Sequence, residues 1–232
     1  MAILISLLLL CHGALPRLSE ASGSLDLLNH IAPQQVRFYS LDFRNTLHWE
    51  AHSQSLSNTQ YYVQYKVYGD KQWTDVPHCQ GIHKLSCDLS QQTSEPRDWY
   101  YARVQAEARG LRSTWTLSPR FSPVWNTSVS PPGVELKVTE QGIVVRLRPP
   151  RSPYRRRSGS PVSVRKLQPL KYRIYLSHNN VVQKRQELDS CVRELLIEEL
   201  EPGTTYCLRA ESLPLRPSRS SGPGPSACVT TL

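Results

Sequence analysis

The sequence assembles no catalytic site. It has no Gly-x-Ser-x-Gly elbow, no His-Glu-x-x-His and no glycine-rich phosphate loop after a strand. Its seven His stand singly. Nucleophile, base and orienter therefore cannot be built from neighbours, and neither an enzyme nor a cofactor is expected. No Cys-x-x-Cys occurs, which removes the usual zinc and dithiol redox spacings, so no metal is expected. Helical periodicity is scarce and there is one Met in 232 residues. Past the first residues, no apolar run approaches the length that crosses a bilayer. The chain stops at Leu232 without a hydrophobic tail, so no membrane anchor is expected.

What is present is the composition of an all-β chain rich in turns. There are 18 Pro, and 39% of the residues are hydrophobic. The length suits one large domain or two of about 100 residues. The formal charge is +9 and uneven: residues 1–128 carry 11 Lys+Arg against 10 Asp+Glu, and the remainder 17 against 9. Such an excess suits nucleic acid, an anionic glycan or plain solubility.

The N-terminus indicates the compartment. An apolar stretch over 2–10, followed by Cys11-His12-Gly13-Ala14, reads as the core of a secretory signal spanning 1–21, although it lacks the usual basic flank. The mature product is expected to be secreted and extracellular, where nucleic acid is not an expected partner. Five Cys remain. The natural pairs are Cys79–Cys87 and Cys207–Cys228, each closing a short segment at roughly 2.5–3.5 kcal/mol on the chain-entropy model. Cys191 is left over. It is either buried and inert, the expected state, or joined to another chain.

Alternation places strands at 34–40, 45–49, 61–68, 72–76, 86–90, 100–106 and 114–121, which is seven in the first half. The second half repeats the plan at 134–138, 143–147, 171–177, 181–187, 194–200, 204–212 and 227–231. Two loops rich in Pro, Ser and Arg, 149–169 and 213–225, are expected to lie outside any packed core. The expected domains are 30–124 and 134–232, joined by a linker over 125–133 whose Pro131, Pro132 and Gly133 break regular ladders. Asn126-Thr127-Ser128 is a glycosylation acceptor at that bend.

Along 61–68, Tyr61, Val63, Tyr65 and Val67 take one face, and Tyr62, Gln64, Lys66 and Tyr68 the other. Tyr68, beside a glycine turn, is the expected contact residue. In the strand from Tyr100, Tyr101 is expected in the core and Tyr100 outward. Trp73 and Trp115 are expected to stack on arginines among Arg103, Arg109 and Arg112. The run Arg155–Arg157 is a solvated loop, a weak site for an anionic glycan, or a cleavage site for a basic-site protease.

The organising stretch is 200–210. Pro202 and Gly203 turn the chain into a strand begun by Thr205-Tyr206, a tyrosine corner in which the ring enters the core and the hydroxyl bonds back to the turn. The pattern Leu-x-Pro-x-Thr-x-Tyr resembles fibronectin type III domains. Two such sandwiches behind a signal, with the two short-range cysteine pairs and no Trp-Ser-x-Trp-Ser, resemble class II cytokine receptor ectodomains. Val36-Arg37-Phe38, Leu47-His48-Trp49, Val63-Gln64-Tyr65-Lys66-Val67-Tyr68-Gly69, Gln72-Trp73, Ser86-Cys87-Asp88-Leu89, Tyr100-Tyr101-Ala102-Arg103-Val104 and Pro119-Arg120-Phe121 are similar to the interleukin-22 receptor group.

The resemblance implies two tandem sandwiches and a monomeric, secreted decoy. Its partner would be a helical class II cytokine, interleukin-22, held at the elbow between the domains. By position the contacts would be Lys66, Tyr68, Gly69, the loop 91–98, Arg112, and Arg165 with Lys166 in the first long loop, where the family pattern implies acidic or aromatic residues instead. Two alternatives stay open: a truncated ectodomain of a signalling receptor, and a basic matrix- or glycan-binding protein.

Overall fold

The structure, a computed structural model, describes residues 31–232 except 54, 56 and 216–219. The expected signal over 1–21 lies outside the described residues, as do 25–30 and the middle of the loop 213–225. The strands in chain order are β1 (Gln34–Leu41), β2 (Arg44–Glu50), β3 (Gln60–Val67), β4 (Thr74–Asp75), β5 (Ser86–Asp88), β6 (Tyr100–Ala108), β7 (Leu111–Arg112) and β8 (Thr116–Leu117). One helical turn, α1 (Pro123–Asn126), precedes β9 (Gly133–Thr139), β10 (Gly142–Arg148), β11 (Arg151–Arg155), β12 (Pro161–Ser163), β13 (Leu170–His178), β14 (Val181–Asp189), β15 (Glu194–Ile197), β16 (Thr205–Pro214) and β17 (Ala227–Thr230).

These strands form two tandem fibronectin type III-like sandwiches. In the first, a sheet of order β1-β2-β5 faces a sheet built on β4-β3-β6 with β7 and β8. Alternate residues of each strand turn inward. Leu47 and Trp49 from β2 therefore meet Tyr61 and Val63 from β3 and Ala102, Val104 and Ala106 from β6 in one buried core. Cys79 and Cys87 are joined against that core. In the second, β15-β10-β9 faces β14-β13-β16-β17 around Ile143, Val145, Tyr172, Ile174 and Leu208. Cys207 and Cys228 are direct cross-strand partners joined by a disulfide. Gly142 is required at the start of β10: at φ +139 a Cβ would stand 2.1 Å from the Ile197 carbonyl oxygen.

Several sequence expectations are corrected. The strand at 72–76 shrinks to two residues, and 114–121 to Thr116–Leu117 with an isolated bridge at Phe121. Serine chemistry explains the second case. The buried Ser113 and Ser118 hydroxyls accept the N–H groups of Ala106 and Ala102 on β6, where an edge strand would offer backbone carbonyls. Tyr100, not Tyr101, points inward, in phase with Ala102 and Val104. Its hydroxyl donates to the Glu95 carbonyl (3.1 Å), while the Tyr206 hydroxyl accepts from the Glu201 N–H (3.2 Å). Both partners lie five residues upstream, and each opens a Glu-Pro pair: Glu95-Pro96 and Glu201-Pro202. The two sandwiches thus share one corner device. Tyr100→Phe keeps the ring and removes the bond, so a loss of about 1 kcal/mol is expected by chemical denaturation. An unchanged midpoint would take the corner bond out of the stability account.

The loop 149–169 is structured, contrary to expectation. It forms the β11–β12 hairpin and a 3-10 turn over Val164–Lys166, and it buries Ser152, Val164 and Gln168. The reason lies across the elbow. Val164 and Leu170 pack with Phe43 of the first sandwich and Val129 of the linker in a third core, flanked by Tyr154 and Leu167. Nor is the linker a bare loop. Ser128 exchanges backbone bonds with Ser40 and Asp42, and the buried Thr127 hydroxyl accepts the Phe43 N–H at 3.0 Å.

Candidate functional site

β3 ends in a turn closed by the Asp70 N–H on the Val67 carbonyl at 3.1 Å. Gly69 occupies the third position at φ +98 with open space where a Cβ would be, which fits a type II turn. Tyr68, 60% exposed, is thereby lifted to the rim. Its N–H is held by the Trp99 carbonyl at 2.7 Å, and its ring lies 6.3 Å from Tyr101. Arg120 stacks on Trp99 at 4.2 Å and reaches the Tyr68 ring at 5.8 Å. Lys66 donates to the Asp70 carbonyl (3.3 Å) and lies over Trp73. Arg103 sits between Trp73 and Trp115, at 4.3 and 4.4 Å, with Gln64 Oε1 accepting from its guanidinium. Burial holds Arg103 below the usual arginine pKa, ahead of the opposing pull of Asp75. Lys66, Tyr68 and Gly69 therefore stand together on a stacked, pre-ordered sheet face.

The rim connects to the elbow through 91–98. The Thr93 hydroxyl accepts from Asn45 Nδ2 at 2.7 Å, and Tyr154 of the second sandwich donates to the Thr93 carbonyl at 3.2 Å. Burial, ahead of the opposing Asn45 hydrogen bond, pushes the Tyr154 hydroxyl up to about 12. The Val124 N–H bonds the Pro96 carbonyl, so α1 braces the same loop.

The remaining expected contacts do not all gather there. Arg112 pairs with Glu107, which sits opposite Gln60 at the far end of β3, and it stacks on Tyr62. Seven residues of strand, about 23 Å, separate that end from Val67. Arg165 lies in the 3-10 turn beside the elbow core, but its Nη1 donates inward to the Ser190 carbonyl at 2.9 Å; Lys166 is exposed. Of the arginines expected on Trp73 and Trp115, Arg103 stacks on both; Arg112 stacks on Tyr62 instead, and Arg109 stacks on neither Trp. Cys191 is exposed rather than buried, with Asp189 accepting its N–H. Asn126 is exposed at the end of α1, its Oδ1 accepting the Ser122 N–H. Among the described residues, one group of metal-type side chains gathers, His78 with Cys79 and Cys87, and both of its sulfurs are already joined to each other.

Sequence reasoning placed Trp99 at the loop end but missed Phe43 and the stacking of Arg120 on Trp99. The signal for Phe43 was an apolar residue in the short gap 41–44 between alternating strands; for Arg120 it was only the neighbouring Phe121, which bridges to Tyr100 and so brings the arginine beside Trp99.

Comparison with known proteins agrees with this fold. Residues 1–115 match the tissue factor family model, and residues 127–232 match that of the interferon-alpha/beta receptor fibronectin type III domain. Interleukin-22 receptor subunit alpha-2 of Mus musculus is 38% identical over 200 residues, spanning 86% of this chain and 87% of that protein. Interleukin-20 receptor subunit alpha of Mus musculus is 35% identical over 86% of this chain but only 37% of its own length. Among solved structures, the chicken interferon gamma receptor alpha chain aligns with a TM-score of 0.67 at 22% identity, over 86% of this chain and 97% of that one, a likeness of fold.

Proposed function

Because the chain belongs to the class II cytokine receptor family, at a level that includes interleukin-22 receptor subunit alpha-2, we propose that it is a secreted receptor that captures interleukin-22 and keeps it from a membrane receptor. The observation that carries this reading is the 38% identity extending along most of both chains. The rim supports it: Tyr68 is presented by a glycine turn beside a loop with footholds in both sandwiches. No helix among the described residues is long and apolar enough to cross a membrane. In this reading residues 1–21 are a cleaved leader, residues 125–133 join domains at 30–124 and 134–232, and Asn126 carries a glycan. A helical cytokine seated on the rim and elbow would bury about 1,600 Å² in total.

The test uses the full secreted chain. It is immobilised and titrated with interleukin-22, with interleukin-20 as the comparison, and added to cells that report interleukin-22 signalling. Binding to interleukin-22 with loss of the cell signal is expected. Binding without inhibition would leave a receptor that is no decoy. Absence of binding to interleukin-22 would remove the assignment.

A further inference from the structure

The second sandwich carries a basic groove of which the expected cytokine contacts include Arg165 alone. Arg148, Arg151, Arg156, Arg165 and Arg193 line one open cavity of about 710 Å³, with Ser160 and Ser163 at its wall and no Asp or Glu in the lining. These arginines come from the end of β10, from the β11–β12 hairpin, from the 3-10 turn and from the segment before β15, so the fold concentrates what the sequence disperses. Arg148 is engaged by Glu135. Arg151, Arg156 and Arg193 are exposed and have no carboxylate partner among the described residues. Two buried polar atoms here, Arg165 Nε and Ser163 Oγ, have no hydrogen-bond partner. Both atoms are shut off from solvent, so the exposed guanidinium groups of Arg151, Arg156 and Arg193 are what a ligand in the groove would meet.

We infer that this groove binds a sulfated linear polysaccharide. Guanidinium is weakly hydrated and its fork matches the oxygens of a sulfate bidentately. Several guanidinium groups along one groove suit a chain of repeated anions better than a single phosphate, which one or two would satisfy. The disulfides place the chain in an oxidising compartment, where sulfated polysaccharide is the abundant polyanion. The excess of positive charge sits in this half of the sequence, so the long-range field draws a polyanion to the right domain. Only the middle residue of the run Arg155–Arg157 takes part. Arg155 turns away, donates to the Gly159 carbonyl at 2.8 Å and lines another cleft with Arg44 and His78.

Heparin is the probe, applied to the full chain at physiological salt by surface plasmon resonance. The triple variant Arg151→Ala, Arg156→Ala, Arg193→Ala is expected to bind at least about tenfold more weakly, with a shallower dependence on salt as fewer counterions are released. A charge-matched variant in the first sandwich, Lys71→Ala, Lys84→Ala, Arg97→Ala, should stay close to wild type. The triple Arg→Lys variant keeps charge but loses the fork and should fall between. It also stands in if the alanine triple fails to fold. Equal losses in the two alanine variants would mean a diffuse field and overturn the site. Undiminished binding of desulfated heparin would overturn the sulfate assignment. Equal binding of single-stranded DNA or of phosphatidylserine vesicles would overturn the polysaccharide one. No retention of wild type on heparin would end the proposal.

Discussion

Phe43→Ala is expected to destabilise the chain by about 3–5 kcal/mol, the cost of truncating a buried phenyl ring, and to free the two sandwiches to move against each other. Phe43 has no solvent exposure and forms the centre of the elbow core with Val129, Val164 and Leu170. It reaches that position because Asp42 and Phe43, at φ +52 and +66, make the two-residue hairpin between β1 and β2. A phenylalanine in the left-handed region is strained by about 1–2 kcal/mol. The surroundings hold it there: the Asp42 N–H reaches the Ser128 carbonyl, the Ser130 N–H reaches Asp42 Oδ1, and the Phe43 N–H reaches Thr127 Oγ1. This strain gives the prediction a signature that simple loss of packing lacks. Glycine ordinarily destabilises relative to alanine, but at this position it relieves the backbone. Phe43→Gly should therefore cost less than Phe43→Ala, by about 1 kcal/mol. Urea unfolding of the three chains, with small-angle scattering for the interdomain angle, reads both effects. If glycine proves the worse substitution, the left-handed hairpin is not what positions the wedge.

The sheets were legible because their signal is local. Inward alternation at Leu47 and Trp49, at Tyr61 and Val63, and at Ile143 and Val145 needs only a period of two and a turn at each end. The elbow was not legible, because it depends on partners remote in sequence. Val164 reads as one apolar residue in a basic, proline-rich loop until Phe43, more than a hundred residues earlier, is placed against it. The Tyr100 phase was misread for a related reason. Two adjacent tyrosines offer either parity, and only the small residues Ala102 and Ala106, inward against the core, decide between them. The repeated Glu-Pro pair five residues before Tyr100 and Tyr206 carried the answer in the sequence. Arg112 and Tyr68 were both expected contacts of one cytokine. The antiparallel register of β3 and β6 is what puts them at opposite ends.

That register frames the second large effect. Tyr68→Ala is expected to weaken interleukin-22 binding by at least about 2 kcal/mol, roughly thirtyfold, the threshold for an interface hot spot. The ring is 60% exposed in the free chain, yet its backbone is fixed by the Trp99 carbonyl and its face is flanked by Tyr101 and Arg120. A large side chain held before contact loses little entropy on binding, so most of its buried area becomes affinity. The loss should appear in the dissociation rate, with association nearly unchanged. Stability should move by less than about 0.5 kcal/mol, because the ring lies outside the core. Tyr68→Phe should retain most of the affinity if contact area is what matters. Lys66→Ala should cost less than Tyr68→Ala, because its ammonium already faces Trp73 and the Asp70 carbonyl. Arg112→Ala, about 23 Å away along the sheet, serves as the control and should leave binding within about twofold of wild type. A Tyr68→Ala chain with wild-type affinity, or an Arg112→Ala chain as weak as it, would move the cytokine to another face of the sandwich.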